Sequence, residues 1–407
     1  RRNRVSSEMS APTLAHKTRL QPNRDQENYF LRACGISRFT WNWALEAWKK
    51  GYERGEKTNA LELKKQFNAI KAESYPWAYE VTKYASQQPF IHLQAAFQRF
   101  FRKQSQYPRF KRKGVHDAFY VGGDQVQVRG KRIRIPKLGW VRMRETLRFS
   151  GTIHSATVSR VADHWYVSLS VELSERPLPC ESQEGIGVDL GINRLATLSN
   201  GEMFEGPKPL KTKLGKLRRL SRRVSRKKPG SKNRDKARMK LARLHLRIRN
   251  IRLDALHKLT SYLTRSFDEI VIEDLNVAGM MRNRRLARAI LDMGFYEFQR
   301  QLGYKTSLRR CHDVEVDRWF PSSKMCSRCN AIKEKLSLSE RMFRCEACGS
   351  EIDRDVNAAN NLARSVFDPF STVSSTEFQA RGETSSGSHE RESETGLCEA
   401  GTEHDQI

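Results

Sequence analysis

Four cysteines near the carboxyl terminus follow the pattern C-x2-C-x15-C-x2-C: Cys326, Cys329, Cys345 and Cys348. Each C-x-x-C pair can present both sulfurs to one ion, so this spacing predicts a structural Zn2+ site on a small ribbon, 326–349. Disulfides or free thiols are the weaker interpretation. The segment D-R-D-V-N-A-A-N-N follows directly, so the ribbon is tethered to Asp353 and Asp355. The other cysteines share no metal spacing and are expected to be thiols of a reducing cytosol: Cys34, Cys180, Cys311 and Cys398.

The charge of the chain is large and uneven. The 407 residues carry a net charge of +29, and segment 365–407 contains nine acidic and two basic residues, so residues 1–364 carry +36. A body this basic favours nucleic acid as a partner, because neutralised phosphates release counterions. No apolar run approaches the roughly 20 residues that span a bilayer, and the start R-R-N-R-V-S-S-E lacks the apolar core of a signal peptide. The sequence therefore predicts a cytoplasmic protein without a membrane partner.

The two ends of the chain carry no predicted structure. Residues 1–10 are expected to be a disordered leader, with Met9 as a candidate native start. Residues 365–407 are rich in Ser, Thr and Glu, and we expect a disordered acidic tail to which no role is assigned.

The amino-terminal half shows two kinds of pattern. Residues 11–22 read as a strand, and Asn23 with Gln26 has the form of a capping box that begins a helical region over 23–114. Short runs in which apolar and polar residues alternate predict a small antiparallel β domain over 115–180. If the first strand joins these runs, the helical region is an insertion between strands.

The carboxyl-terminal half predicts an α/β domain over 183–325 and 350–364. The segments G-I-G-V-D-L-G, R-L-A-T-L-S and E-M-F-E-G read as strands, and I-V-I-E-D-L reads as a buried strand. Residues 208–258 hold 21 basic and two acidic residues, with leucines at helical spacing and a break at Pro229-Gly230, which predicts a basic helical hairpin. Such dense like charges repel unless an anion screens them. This favours nucleic-acid contact by four of its residues: Arg218, Arg219, Arg222 and Arg223.

Three elements of this half place carboxylates at their ends. Asp189 ends one predicted strand, Glu273 ends another, and Asp353 or Asp355 begins the helix after the ribbon. Hydrolysis of a phosphodiester with two metal ions needs such a set, and oxygen ligands suit Mg2+ or Mn2+. One of the two late aspartates is expected to cap the helix and the other to bind metal, and spacing alone does not choose between them.

Six segments, in this order over about residues 12–364, resemble the TnpB family. This family comprises RNA-guided DNA endonucleases of bacterial insertion sequences, related to compact type V CRISPR effectors. The segments are Y-P-R-F-K at 107–111, I-P-K-L-G-W-V at 135–141, G-V-D-L-G-I-N-R-L-A-T at 187–197, I-E-D-L-N-V-A-G-M at 272–280, F-P-S-S-K-M-C-S-R-C at 320–329 and C-E-A-C-G-S-E-I-D-R-D-V-N-A-A-N-N-L at 345–362.

The resemblance implies a RuvC-like RNase H fold with an inserted zinc ribbon. In that fold the catalytic triad that binds Mg2+ would be Asp189, Glu273 and Asp355, and Asp353 would be structural. Asn330 stands where the family often has glycine after the first knuckle, and asparagine is tolerated there if the turn is left-handed.

The resemblance also implies the partners. A β-barrel-like wedge domain (11–22 and 115–180) and a helical recognition domain (23–114) would hold a guide RNA from the transposon end. They would also read a short motif beside double-stranded target DNA, with Lys83 and Gln87 as candidates for that contact. A monomer with one RNA is expected.

Three other functions are compatible with parts of the sequence. An RNA-guided DNA-binding regulator without cleavage would have lost one of the three acids. A DNA transposase or strand transferase with an RNase H-like triad would need no RNA and would bind paired transposon ends. A zinc-ribbon nucleic-acid-binding protein without catalysis would leave the carboxylates at the strand ends unexplained.

Overall fold

The computed structural model describes residues 11–180, 182, 184–337 and 339–367. The predicted leader, and the predicted tail from residue 368 onward, lie outside these residues. In the part of the chain that is described, no helix has the length and apolar character needed to cross a membrane.

The amino-terminal half consists of one antiparallel sheet and three α-helices. In chain order the elements are β1 (Thr13–Gln21), α1 (Arg24–Glu53), α2 (Ala60–Ser74), α3 (Tyr84–Phe101), β2 (Ala118–Gly122), β3 (Gln127–Arg129), β4 (Arg132–Ile135), β5 (Gly139–Met143), β6 (Gly151–Val161) and β7 (His164–Leu173). The strand order is β2-β6-β7-β1-β5-β4-β3. Because β1 pairs with both β7 and β5, the three helices are an insertion between the first two strands. Strands β2 and β3 form the edges, so backbone pairing among the described strands does not close a barrel.

Helix α1 begins at the predicted capping box. The Asn23 side chain accepts a hydrogen bond from the Gln26 amide at 2.8 Å, and the Gln26 side chain accepts one from the Asn23 amide at 3.1 Å. Helical structure then ends at Phe101, not near residue 114 as predicted. The segment after Phe101 follows α1 as irregular chain, because Trp41 and Asn42 donate hydrogen bonds to its backbone carbonyls, both at 3.0 Å.

The carboxyl-terminal half contains a second, mixed sheet. Its elements are β8 (Gly185–Asp189), β9 (Ala196–Leu198), β10 (Met203–Phe204), α4 (Pro209–Ser225), α5 (Lys232–Ser266), β11 (Glu269–Glu273), α6 (Val277–Met281), α7 (Ala287–Met293), α8 (Phe295–Arg309), β12 (His312–Val316), β13 (Met342–Arg344), β14 (Glu351–Asp353) and α9 (Arg354–Phe367). The sheet order is β10-β9-β8-β11-β12, with β8, β11 and β12 parallel and β9 antiparallel to β8. In chain order this is 3-2-1-4-5, the topology of an RNase H-like fold. Strands β13 and β14 form a separate two-stranded ribbon.

The two faces of β8 pack against different helices because its residues alternate between glycine and bulky apolar types. Ile186 and Val188 lie in the apolar core that α5 and α8 complete. On the other face, a Cβ at Gly187 would lie 2.1 Å from the carbonyl oxygen of Ala359 in α9. Gly187 therefore lets the backbone of α9 lie directly on β8.

The same contact explains why α9 is longer than predicted. A Cβ at Gly185 would lie 1.9 Å from the ring of Phe367, so that ring covers the first residue of β8. Residues 365–367 are thus helical, although the acidic tail was predicted to begin at residue 365.

Candidate active site and zinc ribbon

Three predicted acids meet at the carboxyl edge of the mixed sheet. Strand β11 pairs in parallel with β8, with Ile272 opposite Val188, so the next residues, Glu273 and Asp189, are neighbours on adjacent strands about 4.8 Å apart. Asp189 lies two residues beyond Gly187 and therefore shares the face that α9 covers. Asp355 lies one helical turn before Ala359, the residue over Gly187. The packing of α9 on β8 thus brings the third acid to the other two.

The electrostatics confirm that the three carboxyl groups are close. Burial, followed by the charges of Asp355 and Glu273, raises the pKa of Asp189 to about 7. Burial and the neighbouring Asp274 also raise the pKa of Glu273. Ionising all three groups in one small volume therefore costs free energy unless a cation binds among them.

Asp353 has a different environment from Asp355. Its Oδ1 accepts hydrogen bonds from the amides of Asp355 at 2.9 Å and Val356 at 3.3 Å, so Asp353 caps α9. Its Oδ2 accepts a hydrogen bond from Arg194 at 3.0 Å. Burial raises the pKa of Asp353, but the bonds from Arg194 and the two amides outweigh it and hold the pKa below its usual value. Asp353 is thus occupied as a cap, whereas Asp355 is available to a ligand.

Arg194 is a site residue that the sequence reasoning missed. Besides its bond to Asp353, its guanidinium lies 4.0 Å from Asp355, and Arg354 approaches Asp355 at 3.7 Å. Arg194 lies inside the G-V-D-L-G-I-N-R-L-A-T segment, but its role depends on the turn between β8 and β9 folding back toward α9. No local pattern in the sequence marks that turn.

The donor set fits a hard divalent cation. Asp189, Glu273 and Asp355 offer carboxylate oxygens, which Mg2+ and Mn2+ prefer. Burial and the neighbouring carboxylates raise the pKa of Asp189 more than the charge of Arg354 lowers it, so a further cation is favoured there. These three residues would hold the metal.

This electrostatic strain predicts a pH-dependent stability. The folded-state pKa of Asp189, about 7, exceeds its ordinary value of 3.8, so its favourable contribution is present at low pH and is lost as pH rises through 7. In EDTA at pH 8, Asp189→Asn should be more stable than the wild type by a few kcal/mol, since each pKa unit corresponds to about 1.4 kcal/mol. Thermal unfolding from pH 5 to 8 measures the difference, which Mg2+ should reduce. Equal melting temperatures at pH 8 in EDTA would contradict it.

The four predicted zinc ligands form one cluster. Their sulfur atoms all lie within 4.8 Å of one another, with Cys326 and Cys348 3.7 Å apart and Cys329 and Cys345 3.5 Å apart. Four sulfurs at about 2.3 Å from a tetrahedral Zn2+ are separated by about 3.8 Å, so the geometry fits this ion. Hydrogen bonds from the backbone amides of Cys348 and Ala347 lower the pKa of Cys345 to about 6. The amide bond from Ala331 lowers the pKa of Cys329, but its side-chain bonds with Cys345 and Cys348 outweigh that bond and raise the pKa to about 12, so Cys345 is the first thiolate to form.

Both knuckles end in a left-handed residue. Asn330 has φ +63° and Gly349 has φ +69°, and their amides donate to the carbonyls of Cys326 at 2.9 Å and Cys345 at 3.0 Å. The predicted left-handed turn at Asn330 is therefore confirmed. Asparagine is among the few residues that adopt this conformation at low cost.

Helix α9 is attached to the first zinc knuckle by two buried asparagines. The Asn357 side chain donates to the carbonyl of Met325 at 2.7 Å and accepts from the amide of Ser327 at 2.9 Å. One turn later, Asn361 donates to the carbonyls of Ser322 at 2.7 Å and Met325 at 2.6 Å. One face of α9 therefore carries Asp355 to the sheet, and a second face holds the ribbon.

The predicted basic hairpin consists of α4 and α5. The side chains of Arg218, Arg219, Arg222 and Arg223 are exposed. None of the four has a carboxylate partner within the described ranges, which leaves their charge available to a phosphate backbone. Arg223 also lines a cleft between the two helices, together with Lys227, Lys236, Lys240 and Arg243.

A buried aspartate, Asp292 of α7, orients this hairpin. It accepts hydrogen bonds from the first amides of α4, those of Leu210 at 3.0 Å and Lys211 at 2.9 Å, and it pairs with Arg252 of α5 at 3.4 Å. Its carboxylate thus caps α4 from another helix and sets the angle between α4 and α5. No local sequence pattern indicates this role, because the partners of Asp292 lie 40 or more residues away.

Lys83 and Gln87 lie together in a separate cleft, next to the seven-stranded sheet. The cleft has a volume of about 380 Å3, and its lining includes Lys71, Lys137 and Gln125. The ammonium of Lys83 lies 3.5 Å from Asp124. Lys71 is buried, donates to Ser86 at 2.9 Å and lies 4.3 Å from the ring centre of Tyr79. The structure therefore places the two predicted residues in a cationic cleft. Lys71 and Lys137 also line this cleft, and no sequence pattern indicated them.

Three family models match the chain. They are described as "Probable transposase" (OrfB_IS605; residues 168–284), "Cas12f1-like, TNB domain" (295–362) and "Helix-turn-helix domain" (9–57). The last description does not fit the fold, because the described part of 9–57 contains β1 and the single helix α1. A solved structure, the "Cryo-EM structure of the Cas12f1-sgRNA-target DNA complex", matches with a TM-score of 0.50 and 15% identity over 83% of each chain. The strand order and this likeness place the carboxyl-terminal half in the class of RNase H-like folds.

Relatives that match over most of their own length and of this chain show which family the chain belongs to. "Putative RNA-guided DNA endonuclease InsQ" of Escherichia coli (strain K12) is 37% identical over 370 residues, covering 86% of this chain and 91% of that protein. "Putative RNA-guided DNA endonuclease" of Streptomyces pristinaespiralis is 38% identical over 357 residues, covering 86% and 88%. The chain belongs to the TnpB family, as its sequence motifs predicted.

Proposed function

We propose that this protein is an RNA-guided DNA endonuclease, which cuts target DNA beside a short adjacent motif. The observation that carries the proposal is the convergence of Asp189, Glu273 and Asp355 at one sheet edge, in a chain of net charge +29. When bound by these carboxylates, Mg2+ or Mn2+ ions would activate the attacking water and stabilise the leaving 3′ oxygen. No side-chain nucleophile is required.

The protein groups contribute to this chemistry by position. Asp189 and Glu273 end two hydrogen-bonded strands, and Asp355 lies just after a capped helix terminus. Rigid elements of the fold therefore supply all three carboxylates. Arg194 holds the cap at Asp353 and pairs with Asp355 only at longer range, 4.0 Å, so a metal ion would compete with this weaker ion pair for Asp355. A site assembled before substrate arrives needs little reorganisation during the reaction.

The remaining assignments follow the same proposal. The seven-stranded sheet acts as a wedge domain and α1 to α3 as a recognition domain, which together hold a guide RNA encoded at the transposon end. The cleft containing Lys83 and Gln87 reads the adjacent motif on double-stranded DNA. The protein works in the cytoplasm as a monomer with one RNA, with structural Zn2+ at the ribbon.

The alternatives fit the observations less well. A regulator without cleavage predicts the loss of an acid, whereas all three are present and grouped. A strand transferase shares the fold and triad but has no need for a basic hairpin and a large amino-terminal half that can hold RNA.

The first test is sequencing of RNA that co-purifies with the protein expressed beside its native flanking DNA. A single RNA with a constant scaffold and a variable end is expected, and the loaded complex should cut a matching plasmid in Mg2+. Heterogeneous cellular RNA, together with binding to paired transposon ends, would favour the strand transferase instead.

The basic hairpin should carry much of the RNA affinity. Changing Arg218, Arg219, Arg222 and Arg223 to glutamine removes four exposed charges while keeping good helix formers. Each lost phosphate contact should reduce the magnitude of the slope of log K against log [salt] by about 0.7 to 0.9, so a reduction of up to about 3.6 is expected for four contacts. Filter binding of the guide RNA between 50 and 300 mM salt measures this slope.

A matched control removes the same charge from the far end of α1. Lys49, Lys50 and Arg54 already pair with neighbouring glutamates, and Lys57 is exposed nearby. Because three of these charges are already neutralised by glutamates, changing the four residues to glutamine should reduce the salt slope less than the hairpin variant does. Equal effects of the two quadruple variants would mean that the hairpin contributes only general charge.

A further inference from the structure

Trp319 is the most exposed large hydrophobic side chain in the described part of the chain, at 85%. It belongs to none of the apolar clusters, and no ring contact involves it in that part. Single exposed hydrophobic residues are common on protein surfaces, so exposure alone does not mark a site. Tryptophan is enriched at interfaces, and the position of this indole decides whether it can meet a ligand. Its sequence did not mark the residue, because it lies near the end of a segment, D-V-E-V-D-R-W-F, that reads as a strand.

The backbone of Trp319 is held firmly although its side chain is free. The Trp319 amide donates to the Asp317 carboxylate at 2.8 Å, and the Phe320 amide donates to the Asp317 carbonyl at 3.0 Å, which closes a tight turn. The neighbouring Arg318 pairs with Asp274, the residue after Glu273. The turn is therefore tied to the strand that carries a catalytic acid.

This turn lies beside the catalytic edge. Strand β12 pairs in parallel with β11, with Val316 opposite Glu273, and the Asp274 amide donates to the Val316 carbonyl at 2.9 Å. Trp319 follows Val316 by three residues through a turn, so its Cα lies on the order of 10 Å from Glu273. A nucleic-acid strand whose phosphate reaches the acids can therefore lie within reach of this indole.

We propose that Trp319 is a stacking platform for a base of the single-stranded DNA that enters the active site, and that it holds the scissile phosphate in register with the three acids. This inference rests on the proposed endonuclease function. Stacking uses the π-face that every base has, so it suits an enzyme whose cut site varies in sequence. DNA is favoured over guide RNA because the indole adjoins the carboxylates and lies on a different element from the basic hairpin.

The test compares Trp319→Ala, Trp319→Phe and Trp319→Leu in the RNA-loaded complex. The substrate is a matching DNA with a pre-opened bubble, so that strand separation does not limit the rate. Base stacking of ordinary strength predicts that Trp319→Ala slows single-turnover cleavage on the order of tenfold. Trp319→Phe should restore most of the rate and Trp319→Leu should not, while target binding stays at the wild-type level. Tyr296→Ala removes another aromatic ring, 70% exposed on α8, and should cleave as the wild type does.

Abasic nucleotides placed one at a time along the cut strand give a second test, whose result would not change if Trp319 had only a structural role. At one position in the cut strand, an abasic nucleotide should slow the wild type as much as Trp319→Ala does, and the two changes together should slow it no further. Wild-type rates for Trp319→Ala, equal rescue by leucine, or additive losses at every position would overturn the proposal. Loss of guide-RNA binding would assign the ring to RNA and overturn it also.

A second measurement separates this proposal from the endonuclease function. The fluorescence of a short DNA oligonucleotide containing 2-aminopurine should be quenched on binding to the wild-type protein and to Tyr296→Ala, but not on binding to Trp319→Ala. If the wild type cuts no guided target, the proposed function fails, whereas the quenching still decides the stacking. Equal quenching by all three proteins would exclude Trp319 as the platform.

Discussion

Replacing Asp189 with alanine should lower guided DNA cleavage by at least about a thousandfold, because the remaining two acids cannot hold the metal that activates water. Asp189 is the acid most strongly affected by its neighbours, with a pKa raised to about 7 by burial and by the charges of Asp355 and Glu273. Its removal relieves that repulsion, so the fold and the affinities for RNA and DNA should be retained. Plasmid cleavage in Mg2+ and target binding by gel shift, measured on the same preparation, test both parts.

A second carboxylate on the same sheet provides the control. Glu315 is exposed on β12, and its register partner is Ile272, which places it on the face opposite Glu273. Glu315→Ala should cut as the wild type does. If Asp189→Ala loses binding together with cleavage, Asp189 is a structural residue; if it still cuts, the site lies elsewhere.

Removal of zinc should have the second large effect, and it should reach the active site through α9. Cys326→Ser should eliminate bound zinc and lower cleavage by at least about a hundredfold, because the knuckle that Asn357 and Asn361 hold would lose its shape. The amino-terminal sheet and its helices should stay folded, since their apolar cores contain no ribbon residue. Zinc content, cleavage rate and hydrogen exchange in residues 354–367 are the measurements.

Two variants distinguish the loss of zinc from the loss of the contacts between the zinc knuckle and α9. Cys180→Ser removes a thiol outside the ribbon and should change neither zinc content nor cleavage. Asn357→Ala should keep its zinc but cut more slowly, because the buried bonds to Met325 and Ser327 are lost. Full activity of a zinc-free Cys326→Ser protein would show that the ribbon does not position Asp355.

Features of the fold that depend on residues close together in sequence were predicted correctly. The capping box at Asn23, the two-knuckle cysteine array and the basic hairpin depend on residues near one another in sequence, and all three are present. Helical structure between residues 102 and 114 was wrongly predicted. There, side chains of Trp41 and Asn42, some 70 residues earlier, satisfy backbone groups that a helix would otherwise pair internally.

For the candidate site, the sequence by itself determined the chemistry: which residues are acids or cysteines, at what spacing, and at the ends of which strands. Its family motifs indicated Asp355 over Asp353. Only the tertiary structure decided the contacts that make a site from these groups. The absence of a side chain at Gly187 lets α9 approach β8, and the resulting packing brings together acids that lie 82 to 166 residues apart along the chain. Arg194, Asp292 and the exposed ring of Trp319 likewise depend on long-range packing, because burial and proximity are properties of the folded chain and no local pattern encodes them.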